Sequence, residues 1–177
     1  KAEYFNPGES VKDRAALFIV QDAIKKKLIS EGGTIVEGTA GNTGIGLAIV
    51  CKEYKLNLKI VIPNTQSVEK KETLRKLGAE LIEVDAAPYS NPKNYIKQSK
   101  KIAEDLNKIS KHGVYWANQF DNVINTESHL KTTAEEIWSQ TAGKIDAFTC
   151  AVGTGGTLSG VSIGLKDKNK NIKIALS

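Results

Sequence analysis

Short apolar runs alternate with longer amphipathic stretches along this chain of 177 residues. The apolar runs predict strands at residues 34–37, 59–62, 80–84, 147–152 and 172–176, with a weaker strand at 114–116. The stretches between them predict helices over residues 11–27, 43–54, 67–77, 93–109, 126–139 and 156–166. Because strands alternate with helices, we expect an α/β fold, with mostly parallel sheets that carry helices on both faces.

Individual residues help to define the buried face and the ends of some predicted helices. In the stretch 93–109 one helical face carries an apolar stripe, formed by Tyr95, Ile102, Leu106 and Ile109. Ser67 and Thr126 are typical N-cap residues at the start of their helices. Gly78 follows a predicted helix and favours its termination there.

Composition narrows the class of protein. The chain is 40% hydrophobic and 25% charged, which fits one globular domain or a large piece of a two-domain protein. No apolar run approaches the ~20 residues of a membrane span, and no signal-peptide pattern is present. The chain begins on Lys1 without Met and ends on Ser177 directly after a strand pattern, so we expect a fragment of a longer protein.

The net charge of +5 raises the question of a nucleic-acid partner. Only Arg14 and Arg75 are arginines among the 25 basic residues, and aromatic residues make up 6% of the chain. Since arginine and aromatic side chains do most nucleic-acid reading, this pattern favours a solvated lysine-rich surface and no nucleic-acid face. An anionic cofactor or substrate would also suit a basic protein.

Cysteine and histidine usage argues against a metal site. The two cysteines, Cys51 and Cys150, and the two histidines, His112 and His129, have no zinc-ligand spacing. Both cysteines lie in apolar surroundings. This favours two buried thiols in a reducing compartment.

The first segment with chemical content is Asn-Pro-Gly-Glu-Ser-Val-Lys-Asp-Arg at residues 6–14. Pro7 and Gly8 predict a turn, and Ser10 can cap the following helix, which puts Lys12 in its first turn. The positive end of a helix dipole opposes an ammonium group there, and a Schiff-base lysine must be deprotonated. Taken alone, an ordinary surface lysine beside Asp13 is the favoured interpretation.

The second segment is Glu-Gly-Thr-Ala-Gly-Asn-Thr-Gly-Ile-Gly at residues 37–46, between a strand and a helix. Its small residues allow a ligand close to the backbone, and the helix start favours an anion. A dinucleotide fingerprint is disfavoured because the glycine spacing is reversed and no acidic residue ends the next strand. A structural turn with close helix packing explains Gly44 and Gly46 but leaves Thr39 and Asn42 unexplained.

The third segment is Val-Gly-Thr-Gly-Gly-Thr at residues 152–157, again between a strand and a helix. Glycines, backbone amides and two threonine hydroxyls at a helix start are typical of a phosphate cradle. The segment lacks the lysine of a P-loop, so one phosphate monoester suits it better than a triphosphate with magnesium. A plain loop is the alternative.

The fourth segment is Trp-Ala-Asn-Gln-Phe-Asp-Asn at residues 116–122. It follows the weak predicted strand, and its amide side chains could line the mouth of a pocket. On its own this segment is explained equally well by a surface turn.

Together and in this order, the four segments resemble the cysteine synthase and cystathionine β-synthase branch of the fold-type II pyridoxal-phosphate enzymes. The resemblance spans essentially the whole chain and implies a fold like that of the tryptophan synthase β-subunit, with both family termini missing here. It also implies three regions: residues 1–38 with the cofactor lysine, residues 39–118 as a smaller mobile domain with the substrate loop, and residues 119–177 as part of a larger cofactor-binding domain.

The resemblance implies a role for individual residues. Lys12 would hold pyridoxal 5′-phosphate covalently and act as the catalytic base, and Asn42 would bind the 3-hydroxyl of the cofactor. The phosphate would be held by Gly153, Thr154, Gly155, Gly156 and Thr157. The substrate carboxylate would be held by Thr39, Gly41, Asn42, Thr43 and Gln119.

The activity implied by the resemblance is a β-replacement that makes cysteine from an O-activated serine, such as O-acetylserine, and sulfide. Cystathionine formation and cysteine desulfhydration are the enzyme alternatives, and a catalytically weak homologue that serves as a binding or scaffold protein is the non-enzyme alternative. Ala40 stands where most cysteine synthases have serine, which bears on substrate choice. The resemblance further implies a homodimer in the cytoplasm or an organelle matrix, with a small amino acid and sulfide or a thiol as ligands.

Overall fold

The computed structural model describes residues 1–177, which form two compact units. One unit consists of residues 3–118, and the other consists of residues 119–177 together with residues 1–2. The assignment of residues 39–118 as a mobile domain and of residues 119–177 as part of a larger domain stays a prediction. No helix combines the length and the apolar character that crossing a membrane requires.

The unit of residues 3–118 is built around four strands. They are Thr34–Gly38 (β1), Asn57–Pro63 (β2), Glu80–Val84 (β3) and Val114–Trp116 (β4). Its helices, after a 3₁₀ turn at Glu3–Phe5, are Lys12–Lys25 (α1), Asn42–Glu53 (α2), Val68–Lys76 (α3) and Tyr95–Asn107 (α4). All the predicted elements of this unit are present, with small shifts at their ends.

The four strands form one parallel sheet in the order β3-β2-β1-β4. The chain moves outward from β1 to β2 and β3, and β4 then returns to the other edge of β1. β1 is therefore the strand beside which the direction of winding reverses. In open parallel sheets, ligands bind beyond the carboxyl ends of the strands at this point.

The apolar stripe of α4 packs on this sheet. Tyr95, Ile102 and Leu106 lie against a buried cluster made of Val36, Val61, Ala103 and Val114. Ile109 was predicted to belong to the stripe, but it is 81% exposed because the helix ends at Asn107. The apolar periodicity continued past the residue at which the helix stops.

The predicted helix ends have mixed outcomes. Ser67 is an N-cap residue, and its hydroxyl accepts a hydrogen bond from the backbone N–H of Lys70. Gly78 adopts a φ of +94° directly after α3, a backbone conformation that favours glycine. The N-cap prediction for Thr126 is wrong, because the helix begins earlier and Asn122 Oδ1 accepts the N–H of Ile124.

The unit that contains residues 119–177 has a second, two-stranded parallel sheet. Its strands are Ala147–Cys150 (β5) and Lys173–Leu176 (β6), and its helices are Ile124–Ser128 (α5), Ala134–Gln140 (α6) and Gly156–Lys168 (α7). A π-helical segment, His129–Thr133, joins α5 to α6 where one continuous helix was predicted. The core of this unit is formed by Ile137, Val161, Leu165 and Ile172.

The two cysteines differ in burial. Cys51 is buried, whereas Cys150 is half-buried near the end of β5, so the prediction of two buried thiols is wrong for Cys150. Burial raises the pKa of the Cys51 thiol to about 12. Cys51 is therefore a core residue with a protonated side chain at neutral pH.

Candidate functional site

Lys12 is the first residue of α1 and is half-buried. Its backbone N–H donates to the hydroxyl of Ser10 at 3.2 Å, and the N–H of Asp13 donates to the carbonyl of Ser10 at 3.4 Å. Ser10 therefore shapes the start of the helix as its sequence position predicts, although Val11 occupies the capping position itself. The turn holds the backbone of Lys12 at the N-terminal end of α1.

Helices α1 and α2 run in the same direction, side by side. Near their starts, a Cβ at Gly46 would lie 3.0 Å from Asp13 Oδ1, and farther along Gln21 Nε2 donates to the hydroxyl of Tyr54 at 2.8 Å. Asp13 comes before Gln21 on α1, and Gly46 comes before Tyr54 by the same number of residues on the other helix. The two N-termini therefore lie at the same end of the helix pair. Lys12 and Asn42, the first residues of α1 and α2, consequently share that end.

The loop between β1 and α2 presents open backbone at this end. Thr39 is buried, and its hydroxyl accepts the N–H of Gly41 at 3.2 Å. Gly41 and Asn42 are exposed, and a Cβ at Gly41 would have no atom within 4 Å. The first N–H groups of a helix have no partner within it, so the start of α2 offers donors to an anion such as a carboxylate.

The same loop lies where the winding of the sheet reverses. It follows β1, and the neighbouring strand β4 ends at Trp116, paired with Val36 of β1. Gly38, the last residue of β1, lets α4 approach closely, since a Cβ there would lie 2.7 Å from the Cα of Ile96. Thr39 and its successors thus occupy the position at which the fold is expected to bind a ligand.

Asp13, next to Lys12, is held in a tight polar corner. Its Oδ2 accepts the N–H of Gly8 at 2.6 Å, while its Oδ1 is buried without a hydrogen-bond partner. Burial raises the pKa of the Asp13 carboxyl, and the hydrogen bonds from the backbone of Gly8 and Ser10 counteract that effect only in part. A Cβ at Gly8 would lie 2.5 Å from Asp13 Oδ1, so this corner requires a glycine at that position.

In the other unit, the loop of residues 153–157 leads from β5 into α7. Gly155 is the N-cap of α7 and has a φ of 84°, and a Cβ there would meet no atom within 4 Å. The start of a helix of this length offers unpaired N–H groups and a positive dipole end. Together with the hydroxyls of Thr154 and Thr157, this open turn has the donors that a phosphate monoester needs.

Two buried side chains support this loop and were missed in the sequence. Asn125 Nδ2 donates to Thr154 Oγ1 at 2.8 Å and to the carbonyl of Gln119 at 3.0 Å. His129 Nε2 lies 3.2 Å from Thr157 Oγ1. The signal was the i, i+4 spacing of Asn125 and His129, which puts both polar side chains on one face of a helix, but the predicted helix began only at Thr126.

The unit of residues 3–118, taken by itself, has a lysine at the same end as an anion-binding helix start, which suits an aldehyde and an anionic group. The unit that contains residues 119–177, taken by itself, has an open turn with donors that suit a phosphate. The predicted substrate residue Gln119 is buried, and its side-chain role stays a prediction. The roles of all the other predicted site residues also stay predictions.

Comparison with known proteins gives a consistent result along the whole chain. The family described as "Pyridoxal-phosphate dependent enzyme" matches residues 1–177. The chain is 54% identical to "Cysteine synthase 1" of Neurospora crassa over 167 residues, which are 94% of this chain and 43% of that protein. The chain spans about half the length, or less, of the curated relatives it matches.

Solved structures of similar proteins share the fold. A hydrogen sulfide-producing enzyme from Fusobacterium nucleatum is 43% identical with a TM-score of 0.86, over 98% of this chain and 54% of that chain. An O-acetylserine dependent cystathionine beta-synthase from Helicobacter pylori is 34% identical with a TM-score of 0.86, over 98% of this chain and 55% of that chain. These similarities confirm the predicted α/β fold and the resemblance to this family.

Proposed function

Because this chain belongs to the family of pyridoxal-phosphate dependent enzymes, we propose that it forms the substrate-binding and phosphate-binding parts of a cysteine synthase. In the proposed reaction, sulfide replaces the acetate group of O-acetylserine, and cysteine and acetate are the products. Several curated relatives named cysteine synthase support this choice over other reactions of the family.

One observation carries the proposal. Lys12 begins α1 at the same end at which α2 begins, beside the loop that follows β1. A helix start favours a neutral amine over an ammonium and favours a bound carboxylate. A lysine that must act as an amine and an amino-acid substrate that carries a carboxylate are both suited to this end.

Lys12 has two proposed tasks at one atom. Its Nζ would bind the aldehyde of the cofactor, and as a free amine the same Nζ would remove the α-proton of the substrate as a general base. When bound, the cofactor supplies an electron sink for the negative charge at the α-carbon. Acetate would leave the β-carbon, sulfide would add to that carbon, and the proton held on Nζ would return to the α-carbon.

The loop of residues 39–43 would hold the substrate carboxylate. Thr39, Gly41, Asn42, Thr43 and, from the other unit, Gln119 are the proposed contacts. Asn42 would also donate to the 3-hydroxyl oxygen of the cofactor. Because Thr39 already accepts the N–H of Gly41, its own proton is available for the carboxylate. Closure of this loop on the substrate would exclude water from the reacting carbons.

The loop of residues 153–157 would hold the phosphate of the cofactor. Gly153, Thr154, Gly155, Gly156 and Thr157 would provide backbone N–H groups and two hydroxyls. The positive end of the α7 dipole adds to the attraction for a dianion. This support is independent of the lysine, since it rests on residues of the other unit.

Ala40 is the reason to consider a second candidate activity. It replaces a serine that most cysteine synthases have, so the substrate loop lacks one hydroxyl. A similar structure belongs to a hydrogen sulfide-producing enzyme and another to a cystathionine beta-synthase. Release of sulfide from cysteine is therefore the second candidate, and cystathionine formation from serine and homocysteine is the third.

The partners and the location of the protein are also proposals. The ligands would be a small amino acid and sulfide or a thiol, as the family resemblance implies. The family resemblance supports a homodimer in the cytoplasm or in an organelle matrix.

Activity assays of the full-length protein test the proposal. The holoprotein is given O-acetylserine with sulfide, serine with homocysteine, or cysteine alone, and the products are identified. We expect cysteine from the first pair, and we expect Lys12→Ala to abolish it. Lys25→Ala, an exposed change in the last turn of the same helix, should leave the rate unchanged. Turnover by Lys12→Ala equal to that of the wild type would refute the proposal.

A further inference from the structure

Two buried polar side chains lie directly behind the loop of residues 153–157. Asn125 is 4% exposed and His129 is 1% exposed. Each reaches one loop threonine: Asn125 Nδ2 donates to Thr154 Oγ1 at 2.8 Å, and His129 Nε2 lies 3.2 Å from Thr157 Oγ1. Buried polar groups of this kind are retained only when they are hydrogen-bonded, so both contacts are structurally specific.

Glycines on one face of α7 make these contacts possible. A Cβ at Gly156 would lie 2.3 Å from Asn125 Oδ1, and a Cβ at Gly160 would lie 2.8 Å from the Cβ of His129. Any larger residue would therefore push the segment that carries Asn125 and His129 away from α7. The close approach brings the amide and the imidazole within reach of the loop hydroxyls.

The π-helical segment extends the network by one more hydroxyl. His129 begins the π-helical segment, and its Nδ1 lies 2.8 Å from the hydroxyl of Thr133 in the same segment. Thr133 is also buried. A chain of hydrogen bonds thus runs from Thr133 through both ring nitrogens of His129 to Thr157. Local π-helical geometry is frequent at functional sites.

The number of protons on each group determines which way the hydrogen bonds of Thr154 and Thr157 run. A threonine hydroxyl has a single proton to donate, and a phosphate dianion can only accept. Thr154 Oγ1 already accepts from Asn125 Nδ2, so its proton is left for another acceptor. When His129 carries its proton on Nε2, it donates to Thr157 Oγ1 and accepts from the hydroxyl of Thr133 at Nδ1. The proton of Thr157 is then also left for another acceptor.

We propose that Asn125 and His129 are positioning residues that make the hydroxyls of Thr154 and Thr157 hydrogen-bond donors to the phosphate of the cofactor. His129 does so as a neutral ring with its proton on Nε2. The inference rests on the proposed function, because it assigns the loop of residues 153–157 to that phosphate. It adds a second layer of residues that selects a phosphorylated cofactor over its unphosphorylated form.

A matched pair of substitutions separates the two ring nitrogens. In His129→Gln the side-chain amide can place an N–H donor near the position of Nε2, whereas in His129→Asn it reaches only the position of Nδ1. Apoprotein of the full chain is titrated with pyridoxal 5′-phosphate and, in parallel, with pyridoxal. The ³¹P resonance of the bound phosphate is recorded for each variant, and thermal unfolding checks that each variant is folded.

We expect His129→Gln to bind pyridoxal 5′-phosphate within about threefold of the wild type, and His129→Asn to bind it at least about tenfold more weakly, with a displaced ³¹P resonance. Binding of pyridoxal should be unchanged in both. Equal loss for both ligands would indicate a merely structural role for His129 and would overturn the inference. So would wild-type affinity and an unshifted ³¹P resonance in His129→Asn.

The wild-type protein offers a measurement that does not depend on any variant being folded. In ¹⁵N-histidine spectra of the holoprotein, the resonances of His129 are assigned as those that disappear in His129→Gln. A neutral His129 with its proton on Nε2 supports the inference, and a proton on Nδ1 alone contradicts it. If the wild type fails to bind pyridoxal 5′-phosphate at all, the proposed function is wrong, whereas normal binding with the other tautomer refutes only the inference.

Discussion

Asp13 and Gly46 are in contact where α1 packs against α2: a Cβ at Gly46 would lie 3.0 Å from Asp13 Oδ1 and 3.2 Å from its Cα. Asp13 follows Lys12 in the chain, and Gly46 lies in the first turns of α2, close to the loop of residues 39–43. This contact therefore couples the position of Lys12 to the position of the start of α2.

We predict that Gly46→Ala destabilises this arrangement. The added methyl group would lie 3.2 Å from the Cβ of Ala16 and from the Cα of Asp13, so α1 must shift by a few tenths of an ångström. Overpacking of this kind typically costs about 1–3 kcal/mol. Gly41→Ala is the matched control for stability, because a Cβ there would meet no atom within 4 Å. Urea unfolding of the two variants checks this. A Gly46→Ala protein as stable as Gly41→Ala would show that the helices are not closely packed at this point.

A second prediction concerns the pH dependence of stability. Burial raises the pKa of the Asp13 carboxyl, so the folded protein binds this proton more tightly than the unfolded chain. Its contribution to stability is therefore present below the unfolded pKa and is lost as the pH rises through the folded pKa. Asp13→Asn should lack this loss.

Unfolding free energies at about pH 3 and about pH 7 provide the check. The stability of Asp13→Asn relative to the wild type should increase between the lower and the higher pH. A constant difference for Asp13→Asn at both pH values would contradict the raised pKa.

Cys51 should resist thiol reagents in the folded protein. Its pKa of about 12 leaves a very small thiolate fraction at neutral pH, and the side chain is also shielded from the reagent. Iodoacetamide treatment followed by peptide mass spectrometry should find Cys51 unmodified in the native state and fully modified in urea. Rapid native labelling would show that the thiol is accessible and ionised.

Replacement of Ala40 by serine should strengthen substrate binding. Ala40 is half-buried and lines a cavity of about 170 Å³ beside the start of α2, so a hydroxyl fits there without displacing a neighbour. One added hydrogen bond is worth about 1 kcal/mol, which corresponds to roughly a fivefold lower KM for O-acetylserine. Steady-state kinetics with sulfide in excess measure this. An unchanged KM, with unchanged release of sulfide from cysteine, would show that the hydroxyl has no role.

Local chemistry explains which features could be predicted from the sequence. Strand and helix positions follow from apolar periodicity, and the helix starts near Ser10 and Ser67 follow from side chains that bond neighbouring backbone groups. Thr126 was misassigned because the helix begins at Ile124, whose N–H donates to Oδ1 of Asn122. Ile109 continued an apolar period beyond the end of its helix.

Features that depend on distant parts of the chain could not be predicted. The roles of Asn125 and His129 depend on their approach to Gly156 and Gly160, which are far along the sequence. The π-helical insertion that begins at His129 has no periodicity of its own, since the surrounding residues read as one helix. The two positioning residues therefore became visible only when the packing was known.

The most direct test of the account is to find which lysine binds the cofactor. The full-length protein is loaded with pyridoxal 5′-phosphate, reduced with borohydride and digested, and the modified peptide is sequenced by mass spectrometry. We predict a single phosphopyridoxyl group on Lys12, absent from Lys12→Ala and present in Lys25→Ala. Modification of a different lysine in the wild type, or an undiminished reduced adduct in Lys12→Ala, would contradict it.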